Sequence, residues 1–200
     1  MAVFLANYPV LIFSYFWVMS RKYNIRDDEK LYFVSPTVVF WVDIFTREIY
    51  SEIVLESLRY CQKEKGLEIY AWCIMPSHLH LIISSRKEPL AGILRDFKAH
   101  TSRQIKKAVR EEPAESRREW MQRIFNWVGD KNSNNKNWQF WQQHNHPIEL
   151  STNDLMERCL AYIHQNPVTA GFVDEAAQWR YSSARDYEGQ AGLLEVLFIK

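Results

Sequence analysis

Three things are scarce in this sequence. There are only three cysteines (Cys61, Cys73 and Cys159) with no CxxC pair, an odd count that argues against both a disulfide framework and a cysteine zinc site. Reduced thiols in a cytoplasmic protein fit best. Net charge is just +1, so no global excess of basic residues marks a nucleic-acid partner, and any basic surface has to be local. Long apolar runs are also missing. The longest, residues 3–18 (VFLANYPVLIFSYFWV), is interrupted by Asn7 and Pro9 and falls short of the ~20 residues that span a bilayer. No internal repeat is present.

The apolar opening has no basic residue ahead of it and no clear small-residue cleavage site, so it is a poor signal peptide. SRKYNIRDDEKLYFV, directly after Met19, reads like an ordinary soluble beginning. We expect Met19 to be the true start and residues 1–18 to be a non-native or mis-assigned extension, with a membrane anchor as the competing reading. Mass spectrometry of the native N-terminus separates the two. A chain of 200 residues, 47% hydrophobic and 24% charged, suits one ordinary globular domain, here expected over 19–200.

LYFVSPTVVFWV (31–42) is β-branched and aromatic and predicts a strand, with Pro36 marking an edge or bulge. A helix is expected from about Thr46 to Lys65, stopped by Gly66. LEIYAWCIM (67–75) predicts a second strand, and Pro76-Ser77 breaks it from a third. A long helix follows over about 89–110. Residues 111–137 open charged (EEPAESRREW), pass an amphipathic piece at 121–128 and end in GDKNSNNKN, which predicts a mobile insert. A short strand within 138–150 and a final helix, capped by Ser151 or Thr152 and ended by Pro167, complete the chain. The order β-α-β-β-α-insert-β-α predicts an α+β fold, a split βαβ antiparallel sheet with helices on one face.

The most informative stretch is MPSHLHLII, 75–83. In a strand, residues two apart share a face, so His78 and His80 stand side by side while Leu79, Leu81 and Ile83 turn to a core. Paired imidazoles suit one metal ion. On spacing alone, one satisfied and one solvent-facing histidine explains the pattern equally well.

Three further features deserve weighing. The helix at 90–110 carries Arg95, Lys98, Arg103, Lys106, Lys107 and Arg110 against Asp96 alone, a possible phosphate track, although such faces are more often merely solvated. Tyr162 and Asn166 are four apart and share a helix face, yet a core tyrosine and a helix-ending asparagine give the same spacing. Trp138, Phe140, Trp141, His144 and His146 cluster. Such aromatics stack unpaired bases or fill a core, and the core is the commoner outcome. Pro147 and polar neighbours favour an exposed loop for the second histidine pair.

Taken together, MPSHLHLII, GILRDFKAHTSRQI, YIHQNPVTAGFV and WRYSSARDY resemble, in order, the REP-associated tyrosine transposases, single-tyrosine members of the HUH nuclease superfamily. The resemblance runs from about Met19 to near the C-terminus. It implies a ferredoxin-like sheet, His78 and His80 as ligands of a divalent metal, and Tyr162 as the catalytic tyrosine. It places the third ligand at Asn166, with Gln165 or His164 as substitutes. It also implies Mg2+ or Mn2+, whereas imidazoles alone suggest zinc or manganese.

The activity so implied is cleavage and strand transfer of single-stranded, hairpin-forming DNA through a 5′-phosphotyrosine. Lys98, Arg103, Lys106 and Lys107 become the candidate DNA contacts, with Arg180 and Arg185 behind them. The protein is expected to be a monomer or homodimer with no membrane partner. Two alternatives compete: a domesticated hairpin-binding protein that no longer cleaves, and a hydrolytic metal phosphodiesterase in which Tyr162 is structural. A third histidine two residues on would suggest a histidine-triad hydrolase, but Ile82 stands there.

Overall fold

The computed structural model describes residues 25, 27–132, 137–145 and 147–199. The expected extension 1–18, residues 133–136 of the polar run and His146 lie outside the described residues. The element order is β1 (Tyr32–Val34), α1 (Glu48–Lys65), β2 (Leu67–Met75), β3 (His78–Ser85), α2 (Leu90–Glu111), α3 (Arg118–Asp130), β4 (Ile148–Glu149), α4 (Asn153–Thr169) and a short α5 (Ala184–Tyr187). The strands form one antiparallel sheet in the order β2-β3-β1-β4. That is the α+β, ferredoxin-like arrangement expected from the element order.

Strand alternation gives the sheet two apolar faces. Tyr32, Val34, Ile69, Trp72, Ile74, Leu79, Leu81 and Ile83 are buried with Leu55 and Leu58 of α1 and with Phe97 and Ile105 of α2. Phe33, Ala71, Cys73, Met75 and Ile82 are buried with Cys159 and Ile163 of α4 on the other side. The expectation of helices on one face therefore holds for α1 and α2 and is corrected for α4. The reason lies in the even-numbered residues of β3: a face that carries Ile82 beside the histidines still has apolar area to cover.

Three local differences matter for the site. The strand expected over 31–42 stops at Val34, beyond which only isolated bridges, Thr37 to His78 and Val38 to Trp141, continue the pairing. The chain then turns sharply. Phe40 and Trp41 hold φ of 53° and 56°, a left-handed conformation that costs a bulky residue about 1–3 kcal/mol. The turn buries Val39 and Val42 and leaves Phe40 and Trp41 outside.

Within the expected mobile insert, residues 118–130 form α3, whose Met121 and Phe125 are fully buried. Two such side chains contribute about 1.5–3 kcal/mol each, enough to hold an otherwise charged segment against the core. Finally, Pro167 does not end α4, which continues to Thr169. Proline removes only one N–H near the end of the helix. The stop is Gly171, at φ +75°, with Ala170 N–H donating to Asn166 O and Phe172 N–H to Pro167 O, both at 2.9 Å. Asn166 thus keeps helical geometry.

Thr152 is the cap of α4, its Oγ1 accepting from Leu155 N–H at 3.2 Å. The WRYSSARDY block covers the free edge of β2: Ile74 N–H donates to Tyr181 O (2.8 Å), Ser183 N–H to Trp72 O (2.9 Å) and Trp179 Nε1 to Ile74 O (3.0 Å). No helix among the described residues is long and apolar enough to cross a membrane.

Candidate active site

β3 presents His78 and His80 toward the α4 face, with their Nε2 atoms 3.0 Å apart. Each ring is held from behind by a serine. Ser35 Oγ lies 2.8 Å from His80 Nδ1, and Ser77 Oγ lies 3.2 Å from His78 Nδ1. The register explains Ser35: Val34 pairs with Leu81, so one more residue brings Ser35 opposite His80. Donation from Nδ1–H to each serine is the tautomer that leaves both Nε2 lone pairs facing one point, with each ring's orientation set by the hydroxyl behind it. Burial holds His78 down at about 4, and burial with the neighbouring His78 holds His80 well below the ordinary histidine value. Both rings are neutral at pH 7, as ligands have to be.

Helix α4 brings Tyr162 and Asn166 to the same point. The Tyr162 ring lies edge-on to His80 at 5.1 Å between centroids, and Phe33 fills the floor, stacked on His80 at 5.5 Å and edge-on to Tyr162 at 6.1 Å. Asn166 Nδ2 is 3.3 Å from His80 Nε2. An amide can present its oxygen in the same place after a flip. Burial pushes the Tyr162 phenol up to about 12, opposed by a hydrogen bond from Asn166, so the group rests as a neutral phenol.

The two substitutes for Asn166 point elsewhere: Gln165 is exposed, and His164 Nε2 sits 2.9 Å from Ser183 Oγ with its ring against Tyr187. Among the described residues no cluster of three His, Cys, Asp or Glu exists, and Asn166 is the side-chain amide beside the histidine pair. Two neutral imidazoles with their outer nitrogens secured and their inner ones converging fit a divalent ion.

The basic residues are placed differently. α2 packs against the sheet face opposite the histidines, so Arg103, Lys106 and Lys107 do not join the His–Tyr constellation. Arg103 and Lys107 are exposed. Lys106 sits 5.0 Å over the Trp138 ring. Lys98 turns inward, donating to Gln142 O (2.6 Å) and Asn145 Oδ1 (2.8 Å), and burial lowers its ammonium to about 8. Asn145 O in turn accepts from Ser35 N–H at 3.1 Å. Lys98 therefore braces the loop that holds Ser35, a positioning role the sequence could not reveal.

Lys98, Arg103, Lys106 and Asn145 line a groove of about 700 Å3 between α2 and residues 138–145. Arg180 pairs with Glu48 at 3.0 Å. Trp138, Phe140 and Trp141 are buried, the core-filling outcome, while His144 is exposed. Ser35, Ser77, Phe33 and Trp41, the last edge-on to His78 at 5.1 Å, went unread in the sequence. Only Ser77, inside the histidine motif, carried any signal.

Residues 41–137 match the family described as Transposase IS200 like. The match includes both histidines and ends before Tyr162. Among solved structures, a REP-associated tyrosine transposase bound to a REP hairpin superposes with a TM-score of 0.62 at 15% identity, covering 91% of this chain and 96% of that one. No curated protein matches by sequence. The histidine strand and the sheet around it thus lie in a segment similar to the IS200-like transposases, within a chain that has the fold of a REP-associated tyrosine transposase.

Proposed function

We propose that the protein is a metal-dependent single-stranded DNA endonuclease and strand transferase that acts on hairpin-forming repeats through a 5′-phosphotyrosine on Tyr162. The observation that carries this reading is the convergence of four residues from two distant segments: His78 and His80 at 3.0 Å, with Asn166 3.3 Å and the Tyr162 ring 5.1 Å from His80.

His78, His80 and Asn166 would hold the metal. The ion we propose is Mg2+ or Mn2+, of which Mn2+ also suits imidazole ligands. When bound, the ion would polarise the scissile phosphate and stabilise charge on the attacking and leaving oxygens.

The protein's own residues supply position. Asn166 hydrogen-bonds the phenol and aims it from a rigid helix, and Phe33 fixes the ring beside His80. The phenolic proton passes to water as the Oη–P bond forms and the P–O3′ bond breaks, and the departing 3′ oxygen takes a proton from water. The phosphotyrosine keeps the phosphodiester free energy, so rejoining to a new 3′ end needs no nucleotide. A half-buried phenol on a helix is reached by a single strand more readily than by a duplex. The solved relative's REP hairpin makes hairpin DNA the substrate class to try, and Arg103, Lys106 and Lys107 remain the proposed backbone contacts.

The test uses purified protein with labelled hairpin oligonucleotides from the gene's flanks and Mg2+ or Mn2+. A denaturant-resistant adduct that disappears in Tyr162→Phe and with chelator is the expected result. Cleavage that survives Tyr162→Phe identifies a hydrolytic phosphodiesterase, and tight binding without cleavage identifies a domesticated hairpin binder.

A further inference from the structure

The aromatic residues that the sequence offers for base stacking are buried, yet the structure leaves a different set outside. Phe40 is 60% exposed, Trp41 49% and Trp127 50%. They form one patch. Phe40 and Trp127 lie 5.7 Å apart between ring centroids, Lys131 Nζ sits 3.7 Å over the Trp127 ring, and Trp41 reaches His78 at 5.1 Å. Other exposed aromatics, such as Tyr60 and Phe198, do not touch the histidine pair.

The backbone is distorted to make this patch. Phe40 and Trp41 both occupy the left-handed region, at φ of 53° and 56°, where glycine is the unstrained residue. The turn itself needs only Val39 and Val42 inside, so the two large rings outside are not explained by packing. Strain of this kind is retained where function needs it.

We propose that Phe40, Trp41 and Trp127 form a stacking platform for an unpaired base of the substrate strand next to the phosphate held at His78 and His80. This rests on the single-stranded nuclease reading above. Three properties select a nucleobase as the occupant. The rings are flat and exposed, and bases stack on such rings in every sequence. Lys131, over the Trp127 ring, adds a positive charge that suits the strand's phosphates. Trp41 touches His78, so a strand held at the histidines lies beside the patch.

The experiment measures anisotropy of fluorescein-labelled single-stranded oligonucleotides, and of a hairpin with single-stranded tails, on Tyr162→Phe protein in chelator at fixed salt. Trp41→Leu keeps an apolar contact with His78 but removes stacking. It is expected to weaken binding about 5- to 150-fold, with Trp41→Phe retaining most affinity. Phe40→Gly relieves the left-handed strain, so it is expected to leave the thermal midpoint unchanged or higher while still weakening binding. An abasic residue scanned along the oligonucleotide should cost the parent protein affinity at one position and cost Trp41→Leu nothing more there.

Parent-like affinity in both Trp41→Leu and Phe40→Gly, a flat abasic scan, or no single-strand binding by the parent overturns the platform. So does a Trp41→Leu protein that binds normally and fails only in metal-dependent adduct formation, since that marks a prop for His78. Adduct formation by the wild type is scored separately. Its absence alongside Trp41-dependent binding overturns the nuclease reading and leaves the platform standing.

Discussion

Replacing Glu115 should loosen the joint between α3 and the rest of the domain. This side chain is fully buried in a stretch that looks like a solvated charge run. Its Oε2 accepts from Tyr50 Oη and Arg47 Nε, both at 3.0 Å, and its Oε1 from the Arg117 backbone N–H (3.0 Å) and Arg117 Nε (3.2 Å). One carboxylate thereby ties the start of α1 to the start of α3. In Glu115→Ala the buried Tyr50 hydroxyl and the Arg117 N–H lose their partner, at about 1–3 kcal/mol each. The Arg47 and Arg117 side chains are 35% and 28% exposed and Arg117 keeps Asp43 as a partner at 2.9 Å, so their lost ion pairs add little.

The expected loss for Glu115→Ala is about 2–6 kcal/mol, a fall of roughly 1–3 M in the urea midpoint for a domain with an m-value of about 2 kcal/mol/M. Glu115→Gln retains one acceptor and should lose less. Acidity adds a second check. Burial pushes the Glu115 carboxyl up, but the Arg117 backbone and guanidinium and the Tyr50 hydroxyl outweigh it, so the group sits below its ordinary value. A depressed carboxyl contributes stability that is complete above the unfolded-state value of about 4.3 and is lost as pH falls through the folded one. The gap between wild type and Glu115→Gln should therefore be constant near neutrality and close in acid. A loss below about 1 kcal/mol for the alanine variant, or a gap that persists undiminished at pH 3, refutes the reasoning.

Three other outcomes are expected. Gly129→Ala, normally stabilising in a helix, should instead lower the thermal midpoint by the equivalent of about 1–3 kcal/mol, because the new methyl collides with the Trp138 backbone. Ser35→Ala should weaken Mn2+ binding by calorimetry about 10- to 100-fold while the thermal midpoint changes little, since it removes the hydroxyl behind His80. Lys98→Met should leave the salt dependence of single-strand binding unchanged, its ammonium being committed to loop carbonyls. Arg103→Met should reduce that slope by about 0.7, the loss of one phosphate contact.

How much was legible depended on the range of the interaction concerned. The alternation in MPSHLHLII placed His78 and His80 on one strand face, and the glycine after α1 set its end at the expected residue, because both are properties of a few neighbouring residues. The β-α-β-β-α order led to the antiparallel sheet for the same reason. Pro167 misled because a local rule, that proline stops helices, gave way to Gly171 and a helix end already formed around it. The charged opening of 111–137 misled because nothing local shows that Glu115 meets Tyr50, 65 residues away.

By itself, then, the sequence determined what periodicity and residue type can encode: the elements, the paired imidazoles on one face, and a phenol and an amide one helical turn apart. Only the tertiary structure decided which of these meet. It set α4 rather than α1 or α2 over the histidines, put Ser35 behind His80 through the β1–β3 register, and turned Lys98 into a brace. It also buried Trp138, Phe140 and Trp141 while leaving Phe40 and Trp41 outside. An aromatic or basic side chain has the same local character in either setting. Whether it faces core or solvent is settled by competition among distant segments for the same apolar area, and no local pattern records that competition.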